Sequence, residues 1–416
     1  MSKTYLTAKI GKSIKFNPNT WSGAGGDNEA PTLIRKMAEL NPDDNFIVIG
    51  RNDLDKQKTK LGLPTNLHSA WAGLKVADTD DNPGILWDMF KDTQIDGVFL
   101  IGGPTGSTNL LQRALKRRPL AEGKHEFAQT LEMHLRYSGP IYEYLNKSGV
   151  PWIMINNDPR YLKMGRDCLN MPQEILSQFD GIRKNNKIKS WDDQVELENV
   201  HIPYSYAGME KIFLIDTPKP KIEDFNKTIG LMIPLNEGNN GVRSRYPELK
   251  KYVLDHIDDV DIYGNWNKDT IGDDQRFKGS MSYHELQDTL DKVKYGFMIS
   301  ISDGWVTMKL WELISHGVIP FMHPNYDSQK HIKVPEFIRI TEPQDLHNKI
   351  EMLENDPDLY RSILQECLDL ISNSDIDGTT LNNTILSTIN KYDYQQNDKS
   401  YNDKIAIQQS SSLDDW

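Results

Sequence analysis

SDGWVTMKLWELISHGVIPFM, residues 302–322, carries in one short span the signals that decide the fold. The apolar run before it, YGFMISI (295–301), reads as a buried parallel strand. A polar turn, Ser302-Asp303-Gly304, follows, and Thr307 is the candidate N-cap of a helix. Gly317 sits just past that helix, where a left-handed residue stops it, and VIPFM (318–322) reads as the next strand. Strand, helix and strand in this order put the helix N-terminus at the carboxyl edge of a sheet, where anions bind. Lys309 and Glu312 are three apart and share a helix face near that end. A cation there suits a phosphate, and a carboxylate one turn further on suits a pair of sugar hydroxyls. The alternative is an ordinary surface ion pair.

Outward from this unit the alternation continues in both directions. Toward the N-terminus, strands are expected at 228–233 (TIGLMI) and 260–263 (VDIY), with helices near 247–255 and 283–292. Toward the C-terminus follow a strand at 337–340 and helices at 343–353, 358–372 and 382–391. The first half repeats the pattern, with strands at 5–10, 45–49 (NFIVI), 97–101 (GVFLI) and 150–155 (VPWIMI). Helices are expected from 29 or 31 to 40, at 108–115 and at 125–147. Strands alternating with helices argue for mostly parallel, doubly wound sheets. The Pro-rich segment DTPKPK (216–221) is the best linker in the chain. The division is an N-terminal domain 1–217, a C-terminal domain 226–375, a helix 376–394 expected to pack back on the N-terminal domain, and a flexible tail 395–416.

The 416 residues exceed what one core usually organises, which supports two domains. No apolar run approaches the roughly 20 residues that span a bilayer, and no signal-peptide pattern opens the chain, so a cytoplasmic, non-membrane protein is expected. Cys168 and Cys367 are far apart and offer neither a disulfide framework nor a metal spacing. The 48 basic and 60 acidic residues leave a net charge of −12, which excludes a protein that coats nucleic acid by overall charge. Local basic clusters remain: Arg113, Lys116, Arg117 and Arg118, and Arg160, Lys163 and Arg166. Each could equally be a solvated helix face.

Chemistry is expected in loops at the carboxyl edges of strands. SGAGGDNE (22–29) is glycine-rich and ends with Glu29 at a helix start, yet lacks the spacing of a dinucleotide or P-loop motif. GGPTG (102–106) could be a binding loop or a plain turn. NNDPR (156–160) offers Asp158 as the best general base, with a capping role as the alternative. In the second half, Arg243 and Arg245 lie two apart, so an extended segment would project both to one side. Arginine pairs suit a pyrophosphate because each guanidinium binds phosphate oxygens bidentately. Gly264 marks a close backbone approach, and the loop FKGSMS (277–282), with Met281, could hold a flat nucleobase through backbone amides.

In order and near-spacing these pieces resemble the DNA beta-glucosyltransferases of tailed phages. DGWVTMKLWE (303–312) is similar to that family's D-N-F-I-T-L-R-V-W-E. Arg245 with its helix, Tyr263-Gly264-Asn265, FKGSMS, Glu29, Gly102-Gly103 and Asp158-x-Arg160 keep family order across roughly residues 9–370. Two departures stand out: the family arginine on the helix is Lys309 here, and a second phosphate arginine aligns with Gly241.

The resemblance implies a GT-B α/β fold, two doubly wound Rossmann-like domains facing across a cleft. It implies an inverting transfer of glucose from UDP-glucose to 5-hydroxymethylcytosine in phage DNA, an activity of restriction evasion in a host bacterial cytoplasm. Asp158 would be the base and Glu29 would hold sugar hydroxyls. Arg243, Arg245 and Lys309 would bind the diphosphate, Glu312 the ribose, and Gly264 and Met281 would approach UDP through backbone. Arg160, Lys163, Arg166, Arg113, Lys116, Arg117 and Arg118 would contact double-stranded DNA. Gly102, Gly103 and Asn109 belong to the loop expected to fill the gap left by a flipped base. No obligatory cofactor or metal is implied beyond the UDP-sugar co-substrate, with Mg or Mn assisting product release at most. Another UDP-sugar such as arabinose, or another acceptor such as 5-hydroxymethyluracil DNA, a glycan or a small molecule, fits the same residues.

Overall fold

The structure, a computed structural model, describes residues 2–9, 14–21, 28–50, 52–70, 85–101, 144, 148, 150, 152–155, 214, 216–238, 244–300, 306–328, 330, 332–374 and 376–392. The first sheet contains β1 (Thr4–Lys9), β2 (Asn45–Ile49), β3 (Leu67–Ala70), β4 (Gly97–Ile101) and β5 (Trp152–Ile155), in the order β3-β2-β1-β4-β5. The second contains β6 (Ile229–Pro234), β7 (Val260–Tyr263), β8 (Phe277–Gly279), β9 (Val293–Met298) and β10 (Ile319–Met322), in the order β10-β9-β6-β7-β8. Every recorded pairing is parallel. Renumbered from its own first strand, the second sheet has the same order as the first, 3-2-1-4-5. This is the doubly wound arrangement whose ligand crevice lies at the carboxyl ends where the strand order reverses, between the first and fourth strands. That places the two crevices beside β1 and β4, and beside β6 and β9.

Helices connect the strands: α1 (Glu29–Leu40), α2 (Leu54–Gln57), α3 (Ile85–Phe90), α4 (Tyr246–Leu249), α5 (Lys268–Ile271), α6 (Tyr283–Leu290) and α7 (Lys309–Ser315). Three more are described after these, α8 (Asp345–Asn355), α9 (Pro357–Ser372) and α10 (Thr379–Tyr392). α4 runs on into a π turn at Lys250–Leu254, where the Asp255 amide reaches back five residues to the Lys250 carbonyl at 3.0 Å. Among the described residues no helix is long and apolar enough to cross a membrane.

Among the described residues two hydrophobic cores form. One gathers Tyr5, Leu33, Ile34, Met37, Phe46 and Phe99 from the first sheet and α1. The other gathers Leu231, Ile262, Tyr295, Phe297, Trp311 and Phe321, with the linker-side Leu214 among them. α10 follows the second unit in sequence, yet Leu381, Ile385 and Ile389 are buried in the first core.

Local chemistry explains several boundaries. Ser282 caps α6 reciprocally with Glu285, each side chain bonding the other's backbone amide. At the end of α7 the Val318 amide reaches the Leu313 carbonyl at 3.0 Å and the Gly317 amide the Ile314 carbonyl at 2.9 Å, a Schellman stop. Gly317 has φ +66°, and a Cβ there would lie 2.5 Å from the Phe225 ring. Gly317→Ala is therefore expected to lower stability by about 1–2 kcal/mol from the left-handed backbone alone, more if Phe225 cannot yield. The shift of a urea unfolding midpoint measures it.

Some local expectations need correcting. Thr307 does not cap α7: the cap residue is Met308, with no side-chain cap bond, and the Thr307 amide donates to the Tyr326 hydroxyl at 2.9 Å. Residues 337–340 form no strand. Pro335 starts a 3-10 turn at Glu336–Ile338, and only Arg339 makes an isolated bridge to Met322. The Arg339 guanidinium binds the fully buried Asp327 at 2.8 Å, which fixes this bend. FKGSMS is not all loop, since Phe277–Gly279 is the edge strand β8.

Candidate functional site

The crevice of the second sheet is built first from the loop after β6. Its Leu235 amide donates to the Tyr263 carbonyl at 2.8 Å, and its Glu237 amide to the Asn265 carbonyl at 3.0 Å, which joins it to the loop after β7. The Asn236 side chain accepts from the Asn265 amide at 2.7 Å. Glu237 accepts from the Asn267 amide at 2.8 Å and from the Ser244 and Thr270 hydroxyls at 3.0 Å each. Burial works to raise the Glu237 carboxyl, but the Asn267 amide and the two hydroxyls outweigh it and hold it below its ordinary value. The carboxylate is thus the knot that ties the returning end of this loop, at Ser244 and Arg245, to the loop after β7.

Arg245 begins α4, with its amide on the Glu237 carbonyl at 2.9 Å and its Nη1 on the Asn236 carbonyl at 2.8 Å. Its backbone is helical (φ −83°, ψ −7°) at the N-cap of α4, with Pro247 tolerated in the first turn that follows. The expectation of an extended segment projecting two arginines to one side therefore fails at Arg245. Arg243 lies outside the described residues.

Gly264 stands where one stretch of backbone passes close to another. At φ +153°, a Cβ there would sit 2.3 Å from the Leu235 carbonyl oxygen, so the close approach is to the protein's own backbone. Its amide already donates to the Gly279 carbonyl at 2.8 Å. What Gly264 can offer a ligand is its Cα face and carbonyl, not its N–H.

The other half of the crevice comes from α6 and α7. Met281 is half-buried against the second core, one residue before the α6 cap. Lys309 and Glu312 form an ion pair, and their side chains are only 17% and 12% exposed. That burial argues against an ornamental surface pair, since exposed pairs contribute little. An ammonium has three donors, so Lys309 can hold Glu312 and still meet an anion. Gln287 on α6 donates from Nε2 to Glu312 Oε1 at 2.7 Å. Burial, and then the charge of Glu312, push the neighbouring Tyr283 phenol up to about 12. Asn325, in the loop after β10, clamps the loop after β9 by accepting from the Ser300 amide at 3.1 Å and donating to its carbonyl at 2.9 Å.

At the first sheet, Glu29 opens α1 after the buried Asn28, where a carboxylate also complements the helix dipole. Segment 18–21 touches α6. The Trp21 ring meets Tyr283 edge-on at 5.3 Å, and Asn19 Oδ1 lies 2.8 Å from His284 Nε2. Arg35 pairs with Asp216 of the linker. A cavity of about 850 Å³ lies between these parts, lined by Asn28, Thr32, Arg35, Tyr283, Gln287 and His316 among others.

Glu29, Arg245, Gly264, Met281, Lys309 and Glu312 are thus described, five of them around the second crevice. Asp158, Arg160, Lys163, Arg166, Gly102, Gly103, Asn109, Arg113, Lys116, Arg117 and Arg118 lie outside the described residues. Sequence reasoning missed Asn236, Glu237 and Gln287. A carboxylate entering a glycine-rich loop could have flagged Glu237, whereas nothing in the α6 sequence distinguishes Gln287. Among the described residues no group of three or more His, Cys, Asp or Glu is arranged to hold a metal ion.

No protein-family model matches the chain, and no curated protein sequence matches it significantly. Solved structures do match. T4 phage BGT in complex with UDP and Mn2+ superposes with a TM-score of 0.52 at 11% identity, covering 93% of this chain and 99% of that one. T4 phage BGT in complex with its UDP-glucose substrate gives 0.50 at 11% identity, with the same coverage. A further structure of T4 phage beta-glucosyltransferase gives 0.52 at 10%, again covering 93% and 99%. At such identity the likeness is one of fold, and the chain has the GT-B architecture of two Rossmann-like α/β units.

Proposed function

We propose that this protein is an inverting glycosyltransferase that moves a sugar, glucose first among candidates, from a UDP-sugar to the hydroxymethyl group of a modified pyrimidine in DNA. The observation that supports it best is the furnishing of the second crevice. Arg245 starts a helix beside β6, and the half-buried Lys309–Glu312 pair stands on the helix after β9. A nucleoside diphosphate needs cationic donors for its phosphates and a carboxylate for its ribose, and these positions supply both.

In this reading Asp158 takes the proton from the acceptor hydroxyl, and the oxygen attacks the anomeric carbon of the sugar. The carbon–oxygen bond to the diphosphate breaks, and UDP leaves with the electron pair. Arg245 and Lys309 meet the charge that develops on it, with Arg243 as a further contributor. Glu29 holds sugar hydroxyls. Arg160, Lys163, Arg166 and the cluster at Arg113, Lys116, Arg117 and Arg118 contact DNA phosphates, and the loop with Gly102, Gly103 and Asn109 occupies the space of the flipped base.

Incubation with 5-hydroxymethylcytosine DNA, 5-hydroxymethyluracil DNA and plain DNA, each with a panel of UDP-sugars, tests the proposal by nucleoside mass spectrometry. A mass gain of one hexose on hydroxymethylcytosine alone is expected. Transfer of a pentose, or to hydroxymethyluracil, would keep the reaction and change the substrate. No DNA product with any donor would redirect the search to glycan or small-molecule acceptors. On the donor side, Arg245→Ala is expected to weaken UDP binding by about 1.5–3 kcal/mol, the range for hydrogen bonds to charged groups. Isothermal titration measures it, and an unchanged affinity would place the diphosphate elsewhere.

A further inference from the structure

The carboxylate of Glu312 is held from behind by a chain of hydrogen bonds that passes back and forth between α6 and α7 and ends at Asp291. Gln287 Nε2 donates to Glu312 Oε1 at 2.7 Å. The Gln287 amide oxygen faces His316 Nε2 at 2.8 Å, and His316 Nδ1 faces Asp291 Oδ1 at 2.7 Å. Donor and acceptor accounting orients the whole chain. A carboxylate only accepts, so the Gln287 NH2 must point at Glu312 and its oxygen at His316. His316 Nε2 must then donate, and Nδ1, which faces the Asp291 carboxylate, donates to it only in the protonated imidazolium form.

The far end is anchored too. Lys227 donates to the His316 backbone carbonyl and to the Leu290 carbonyl, the latter at 3.2 Å, which joins the last turns of α6 and α7. Burial lowers the Lys227 ammonium to about 8 against the opposing pull of Asp291. Lys309 takes the second oxygen of Glu312. Each carboxylate oxygen has two acceptor directions, so both retain one for a hydroxyl.

Resting on the donor-site reading above, we propose that Gln287, oriented by His316 and Asp291, is a positioning residue that aims the Glu312 carboxylate at the ribose diol of the nucleotide. Without it the carboxylate follows Lys309 alone and rotates off the diol. Gln287 therefore sets the preference for a ribonucleotide over a deoxyribonucleotide donor, a distinction that matters to an enzyme working beside DNA.

Titration of the full chain with UDP and with 2′-deoxy-UDP tests this. Wild type is expected to prefer UDP by about tenfold, the scale of a hydrogen bond to a charged group. Gln287→Leu should bring the ratio close to one by weakening UDP while leaving 2′-deoxy-UDP binding unchanged, a result loss of folding cannot produce. Gln287→Glu, which opposes two carboxylates, should do the same. His316→Gln keeps a donor toward Gln287 and should retain the preference, whereas His316→Phe should lose it. An unchanged UDP preference in Gln287→Leu, or equal loss of both nucleotides, overturns the positioning role. Failure of wild type to bind either nucleotide overturns the donor-site reading itself, and the positioning role with it.

Discussion

Asp158→Asn is expected to slow transfer by about 10²–10⁴-fold while UDP affinity stays unchanged, because general base catalysis contributes on that scale. An aliphatic hydroxyl is a poor nucleophile until its proton is taken, and the carboxylate has a basic lone pair where the amide has none. The substitution preserves size and shape, so in the proposed reaction it would remove the proton acceptor and little else. In sequence Asp158 comes three positions after Ile155, where β5 reaches the carboxyl end of the first sheet. That end faces ligands in doubly wound sheets. Single-turnover rates with saturating DNA and UDP-glucose give the chemical step, and isothermal titration gives donor affinity. Near-normal turnover would move the base to another carboxylate, with Glu29 the next candidate. Lost UDP binding would instead mark Asp158 as a structural residue.

The second large effect concerns the architecture. Ile385→Ala is expected to destabilise the protein by about 2–5 kcal/mol, the usual consequence of emptying a fully buried aliphatic site. Ile385 is 0% exposed and packs with Leu381 and Ile389 into the core formed by Tyr5, Phe46 and Phe99. The substitution lies on the last helix, yet the weakened core is the one formed by the first strands. Urea unfolding followed by fluorescence should show the first unit melting earlier. A control, Met352→Ala on α8, removes a side chain that is 51% exposed and should change little. Equal effects of the two would remove α10 from the first core.

How much of this was legible beforehand varies by element, for physical reasons. β2, β4 and β7 were readable to the residue, because each is a short apolar run bounded by polar or glycine punctuation. β3 and β8 were not. Among the described residues both are edge strands, with one neighbour each, and LHSA and FKG bury too little apolar surface to show a pattern. Residues 337–340 failed in the opposite sense. FIRI alternates like a strand, but Pro335 opens a 3-10 turn there and Arg339 bonds buried Asp327, twelve residues earlier. At the site, Lys309 and Glu312 were found by helical spacing. Gln287, on a different helix, became visible only once α6 and α7 were packed side by side.

Residues 302–322 by themselves determined a helix whose end is fixed at Gly317, a strand after it, and a cation and carboxylate on one face. Those are consequences of local backbone preference and a 3.6-residue period, which need no partner. Tertiary structure alone decided the rest. It buried the Lys309–Glu312 pair and placed Gln287 and His316 behind it. Those outcomes depend on which surfaces meet, and side chains far apart in sequence acquire a shared role only when packing brings them within hydrogen-bond reach.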